Sequence, residues 1–337
     1  MTPTHATTPI TSNPQRPRRV AAVVPAFLFL LSALPLPAQT PPNERLTQAY
    51  ALEREGKPAA AIPQLQQLLS ARLLDDAGTA TAWNILANAY QDEEDFANAR
   101  HAYERSVQIY ETTIPNKLDG RAAALDDFGQ LYVSTQQFDV ATRLETEALQ
   151  LYEQVGDHAG IVRAASHLAG TAFSQGNVTR GSKLLKRAAK EAKLANNLDD
   201  DDRAAIESLK GWQAQLNHDV EASISNYGRA LTLAEERHGE EHPATGWSYV
   251  LLGNADAAAG EWTDAIENMR KGLAILDRTM GSQSEHSLIA EIAYSRALDG
   301  AGLHAEAATI KAQAEPLLKS VARGQCDGCT VTAAALH

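Results

Sequence analysis

The stretch "TAWNILANAYQDEEDFANARHAYERSVQIY", residues 81–110, divides into two helix-like halves on either side of a polar turn. The first half places Trp83, Leu86 and Tyr90 three and four residues apart, and the second half carries Phe96 and Tyr103. Apolar residues at this spacing predict an amphipathic α-helix. The stretch therefore predicts a helical hairpin.

The hairpin recurs along most of the chain. The small residue after Leu86 serves as an anchor, and successive anchors are 38 to 42 residues apart, at Ala49, Ala87, Gly129, Ala169, Gly211, Gly253 and Ser295. A second small residue follows twelve positions after each anchor, at Ala61, Ala99, Ala141, Gly181, Ser223, Ala265 and Ala307. Small residues at the same two positions of every copy predict that the two helices of each hairpin cross closely.

Turn signals support the same division. Seven residues after four of the anchors stands a glycine, the residue that favours a left-handed helix end, at Gly56, Gly176, Gly260 and Gly302. Aromatic residues make up only 6% of the chain, which suits closely packed helices. We predict an all-α fold: a right-handed α-solenoid of about seven hairpins and fourteen helices over residues 39–322. Each hairpin is expected to bury its apolar face only against its neighbours, which gives an elongated surface.

The repeat is similar to a known family. Trp83, Leu86, Tyr90 and Phe96 follow the tetratricopeptide pattern, with Ala87 in place of its glycine. The 42-residue period and the connector "GEEHPATG", residues 239–246, resemble the kinesin-light-chain type of tetratricopeptide repeat. The resemblance implies a non-catalytic scaffold that binds protein or peptide on a concave surface formed by the first helix of each hairpin. The predicted export signal described below argues against a kinesin-like cargo role.

Projecting that concave face onto the sequence gives the candidate partner-binding residues. Eight are selected: Asn84, Asn88, Gln91, Gln130, Trp212, Trp247, Asn254 and Arg296. Asn84 and Asn88 are one turn apart, so their amides could bond an extended peptide backbone or simply be solvated. Trp212 and Trp247 could form an aromatic anchor or pack between hairpins. Tyr50, Glu53, Asp126, Ser166, Phe173 and Gln215 project onto the same face.

The first 38 residues differ from the repeats. Three arginines precede an apolar run over residues 20–34, and Ala38 follows a short proline-containing segment. This order is typical of a secretory signal peptide cleaved after Ala38, which predicts a periplasmic or extracellular protein. An uncleaved N-terminal membrane anchor is the alternative. The formal net charge of -12 disfavours nucleic acid as a partner and docking on an anionic membrane.

Two motifs suggest metal chemistry. His238, Glu241 and His242 spell His-x-x-Glu-His, which forms a zinc site only on one continuous helix. Gly239 and Pro243 oppose such a helix, so we predict a connector between hairpins and no metal site. The acidic run over residues 199–202 lacks the spacing of a calcium loop and is expected to cap a helix.

The C-terminal tail, residues 323–337, contains the only cysteines, Cys326 and Cys329. In an exported protein a local disulfide is the simplest state, and interchain pairing or half of a shared metal site are alternatives. The tail is expected either to fold back on the last hairpin or to mediate self-association. The hairpins carry no recognisable catalytic group or cofactor motif, so no enzymatic activity is predicted. A redox or metal-linked accessory role through the two cysteines is the alternative function.

Overall fold

The computed structural model describes residues 40–324. In this range every regular element is an α-helix and none is a strand, which confirms the all-α solenoid. The helices are α1 (Pro42–Arg54), α2 (Pro58–Ala71), α3 (Asp76–Asp92), α4 (Phe96–Thr112), α5 (Leu118–Ser134), α6 (Phe138–Val155), α7 (His158–Ser174), α8 (Val178–Glu191), α9 (Asp200–Leu216), α10 (Val220–His238), α11 (Pro243–Ala259), α12 (Trp262–Thr279), α13 (Glu285–Gly300) and α14 (His304–Gly324). The predicted signal peptide and the cysteine pair lie outside the described residues. None of the described helices is long and apolar enough to cross a membrane.

The small anchors lie where the two helices of a hairpin cross. All seven anchors are buried, and so are the seven small residues twelve positions later. A Cβ atom placed on Gly129 would lie 2.7 Å from Cγ of Glu145, and one on Gly253 would lie 2.7 Å from Cγ of Met269. Close approach of the partner helix therefore explains the small residue, as predicted.

The turn within each hairpin contains one residue with a positive φ angle seven positions after the anchor. The four predicted glycines adopt it, with φ between 67° and 81°. Three other hairpins place a residue with a side chain there, namely Glu94, Gln136 and His218, with φ of 58° to 60°. For a residue with a side chain, the left-handed backbone conformation costs about 1 kcal/mol or more of free energy. Packing of the hairpin therefore imposes the left-handed turn even where the residue is not glycine.

Packing proceeds from hairpin to hairpin. Each helix contacts the next along the chain, and first helices of successive hairpins also contact each other. The largest buried apolar cluster runs from Ala122 on α5 to Ile206 on α9 and includes Leu168 and Leu185. These apolar contacts confirm the predicted stacking.

The expectation of an elongated array with contacts only between neighbours is wrong at one place. Arg54, at the end of α1, pairs with Asp201 and with Asp199 at 3.3 Å, and both acids belong to the fifth hairpin. A Cβ atom on Gly56 would lie 3.1 Å from Cδ of Pro243 in the sixth hairpin. The array thus curves back so that its first turn meets later hairpins. We call this set of contacts the closure.

The second hairpin also contributes a contact to the closure. The backbone N–H of Glu285, at the start of α13, donates a hydrogen bond to Oε1 of Glu94 at 2.7 Å. The two residues are 191 positions apart. Because curvature accumulates from a small rotation at each repeat, no local sequence pattern predicts where the closure falls.

Candidate binding groove

The closure borders a pocket of about 760 Å³. The first two hairpins line one side, and α9, the end of α10, α11, the end of α12 and the connector before α13 line the other. We call it the groove pocket. Its apolar side chains include Pro58, Ala205, Trp247, Leu251 and Met280, and its ionisable side chains include Glu53, Arg54, Asp92, Glu93, Glu94, Asp201, His238 and His242. This volume lies within the usual range for ligand sites.

The two histidines of the His-x-x-Glu-His motif border the pocket from different elements. His238 is the last residue of α10, Gly239 has a φ of 85°, and His242 caps the N-terminus of α11 by accepting from the Ala244 N–H at 3.2 Å. The motif is therefore a connector, as predicted. The two rings stack with centroids 4.1 Å apart, and Nε2 of His238 lies 2.6 Å from Oδ1 of Asp201. The connector thus contributes to the closure.

Burial alters the protonation of the pocket wall. Desolvation, with the nearby charge of Asp92, raises the pKa of Glu53 to about 8, although Arg54 opposes the shift. Desolvation, together with the charge of His238, lowers the pKa of His242 to about 4. At neutral pH Glu53 therefore holds a proton and His242 is uncharged. Oε2 of Glu53 is buried and has no hydrogen-bond partner among the described residues.

A charged network lies on the first helices of the third and fourth hairpins. Asp126 is fully buried and accepts from Nε of Arg163 at 3.3 Å, while Nδ1 of His167 lies 3.0 Å from its other oxygen. Burial alone lowers the pKa of His167, but the charge and hydrogen bond of Asp126 outweigh it and raise the pKa to about 9. His167 is therefore cationic at neutral pH and helps to compensate the buried Asp126.

A second buried carboxyl lies in the third hairpin. Glu145 accepts hydrogen bonds from Oγ1 of Thr171 at 2.9 and 3.0 Å and from Nε2 of Gln130 at 2.7 Å. Burial raises the pKa of Glu145 to about 7. Its contacts lie within and between hairpins, so its role is to join them.

Four predicted site residues use polar atoms inside the array. Nδ2 of Asn84 donates to Asp127 at 2.7 Å, and Gln130 donates to Glu145. The hydroxyl of Tyr103 donates to Asn88 at 2.7 Å and lies 3.1 Å from Oε1 of Gln91. Their role in binding a partner stays a prediction, but these groups already have partners within the fold.

The other four predicted residues lie on α9, α11 and α13. Trp247 lines the groove pocket and meets the ring of His286 edge-on at 5.4 Å. Trp212 packs against Phe173, with ring centroids 5.5 Å apart. Asn254 is half-buried and Arg296 is exposed, and neither lines the groove pocket. Of the eight candidates, the structure places only Trp247 in this pocket, and partner binding by the other seven stays a prediction.

The sequence projection missed several residues of the pocket. Arg54 and Asp92 lie five positions after their anchors, and Asp201 lies ten before its anchor. Positions ten before, six before and five after an anchor lie on the same helix face as the positions used in the projection. A projection that included them would have identified Arg54, Asp92 and Asp201. Their meeting across the groove had no signal in the sequence.

Comparison with known proteins identifies the repeat. Residues 78–154 and 202–278 match the family described as Tetratricopeptide repeat. No curated protein sequence matches the chain.

Several solved structures are similar to the chain at low sequence identity. The apo form of RapI is 8% identical with a TM-score of 0.58, covering 83% of this chain and 99% of that one. A Rap protein complexed with Competence and Sporulation Factor is 13% identical with a TM-score of 0.56, covering 85% and 99%. A putative kinesin light chain from Podosopora anserina is 18% identical with a TM-score of 0.46, covering 61% and 99%. The family match and the paired helices together show that residues 78–154 and 202–278 consist of tetratricopeptide repeats.

Proposed function

We propose that this protein is a non-catalytic scaffold that binds a protein or peptide segment in the groove pocket. The observation that carries the proposal is the pocket itself, which the closure forms from five of the seven hairpins. Two proteins of the same fold are named in complexes, one with Competence and Sporulation Factor and one as the Cut9–Hcn1 hetero-tetramer. Binding of other chains is thus a use to which this fold is put.

The lining suits a peptide with an apolar side chain. Trp247, Leu251 and Met280 provide an apolar surface on one side. On the other side, Glu53, Arg54 and Glu94 line the pocket with polar groups of the kind that bond the N–H and C=O groups of a peptide backbone. Aromatic side chains in partly enclosed pockets commonly dominate the affinity of such sites.

Site-specific photo-cross-linking in the native cell tests the proposal. A photoreactive amino acid at Leu251 lies in the groove pocket, and one at the exposed Gln150 on α6 serves as the control position. We expect a discrete protein or peptide adduct at Leu251, and its loss in the Trp247→Ala background. Trp83→Ala is the matched control, because Trp83 is also half-buried on a first helix but does not line this pocket. Adducts at Gln150 alone would refute a binding role for the pocket.

We also propose that the protein acts after export. The support is the order of arginines, apolar run and Ala38 in the first 38 residues. N-terminal sequencing of the protein from the fractionated native cell should give Gln39 as the first residue. Recovery of the full-length chain from the cytoplasm would contradict this proposal.

A further inference from the structure

Helix α8, the second helix of the fourth hairpin, is strongly basic in an acidic chain. Over residues 178–193 it and the turn after it carry six cations and a single acid, Glu191, whereas the whole chain has a net charge of -12. The cations are Arg180, Lys183, Lys186, Arg187, Lys190 and Lys193. This local excess of positive charge is absent from the groove pocket and needs its own explanation.

The cations occupy the face of α8 opposite to its packed face. Gly181, Leu185 and Ala188 are buried against the hairpin, whereas the four lysines of residues 183–193 are exposed. These lysines border a shallow groove of about 790 Å³, together with Lys210 of α9. We call it the basic groove. Positive charge thus comes from two neighbouring helices and faces one concave surface.

Most of this charge is not compensated within the fold. Arg187 pairs with Glu153 at 2.5 Å, and Lys210 pairs with Glu207 at 2.5 Å. The nearby Glu191 pairs with His158 at 2.8 Å. Among the described residues, no carboxylate lies within ion-pair distance of the four lysines of residues 183–193. Like charges three and four positions apart on a helix repel each other. An anionic partner would relieve this electrostatic repulsion among the lysines.

We propose that the basic groove is a second binding site, separate from the groove pocket, and that it takes an Asp- and Glu-rich segment of a partner protein. A concave surface with lysines on both sides fits an extended chain better than the plane of a membrane. The net charge of -12 also opposes approach to a large polyanion such as nucleic acid. A short acidic segment places its carboxylates on the lysines without bringing further negative charge against the acidic remainder of the protein.

Binding of a fluorescent oligoglutamate peptide to the full chain, followed by anisotropy, tests the proposal. We expect saturable binding that weakens as salt rises, and at least about tenfold weaker binding by Lys186→Glu/Lys190→Glu. The matched control is Arg100→Glu/Arg105→Glu, which changes the net charge equally on the exposed face of α4. Circular dichroism and thermal melting confirm that both variants fold.

Three results would overturn the proposal. The first is no saturable binding of the peptide by the wild-type chain. The second is an equal loss in the α4 control, which would attribute binding to net charge. The third is binding to phosphatidylglycerol vesicles through Lys186 and Lys190 without binding to the peptide, which would make the groove a lipid site. Cross-linking at Leu251 tests the groove pocket alone, and peptide binding tests the basic groove alone. The failure of one proposal can therefore be told apart from the failure of the other.

Discussion

Replacing Glu145 by glutamine tests whether the buried carboxyl of the third hairpin is neutral or charged. Glu145 is fully buried and lies against the anchor Gly129. Glutamine has nearly the same shape, and its amide can still bond Thr171 and Gln130. The substitution therefore removes the titration of this group while keeping its packing.

The size of the effect follows from the pKa. Burial raises the pKa of Glu145 from 4.5 to about 7. A group with a raised pKa stabilises the fold fully below its unfolded pKa, and this contribution is lost as the pH rises through the folded value. The difference between the two pKa values corresponds to about 3 kcal/mol, at about 1.4 kcal/mol for each pKa unit. Wild type should lose this amount between about pH 4.5 and pH 7, and Glu145→Gln should not.

Urea unfolding at several pH values measures the effect. At about pH 4.5 we expect wild type and Glu145→Gln to have similar free energies of unfolding. At about pH 8 the free energy of unfolding of Glu145→Gln should be higher than that of wild type by about 3 kcal/mol. Glu104→Gln, at an exposed position on α4, is the control and should differ from wild type by no more than about 0.5 kcal/mol at each pH. A difference between Glu145→Gln and wild type that does not change with pH would refute the reasoning.

Three further predictions concern packing, the buried ion network and helix capping. Gly253→Val should lower the free energy of unfolding by about 1–3 kcal/mol because its side chain meets α12, whereas Gly228→Ala, where a Cβ atom meets nothing within 4 Å, should raise it by about 0.5–1 kcal/mol. Both changes can be read from urea midpoints. Asp126→Ala should destabilise the fold by about 3–5 kcal/mol and lower the pKa of His167. An NMR titration of the imidazole checks this, and an unchanged pKa would contradict the assigned pairing. Asp75→Ala should cost about 1 kcal/mol, because the Asp75 side chain accepts from the Gly78 N–H at 2.7 Å and caps α3. A thermal melt unchanged from wild type would show that this cap contributes nothing.

Local features were predictable because they repeat within a single hairpin. The spacing of Trp83, Leu86 and Tyr90 predicted α3, and the small anchors predicted the crossing of paired helices. The break at Gly239 and Pro243 was also predictable, since backbone preferences of glycine and proline act over one or two residues. The same kind of reasoning did not predict the left-handed conformation of Glu94, because the packed turn imposes it against the preference of the residue.

The sequence alone determined the helices, their pairing and the residues at each crossing, because these depend on contacts within one or two repeats. Tertiary structure alone decided the curvature that brings Arg54 to Asp201 and Glu94 to Glu285. It also decided that Asp126 and Glu145 are buried and partnered, whereas the lysines of α8 remain exposed. The physical reason is that a small rotation at each repeat adds up over five or six hairpins, and no short stretch of sequence contains that sum.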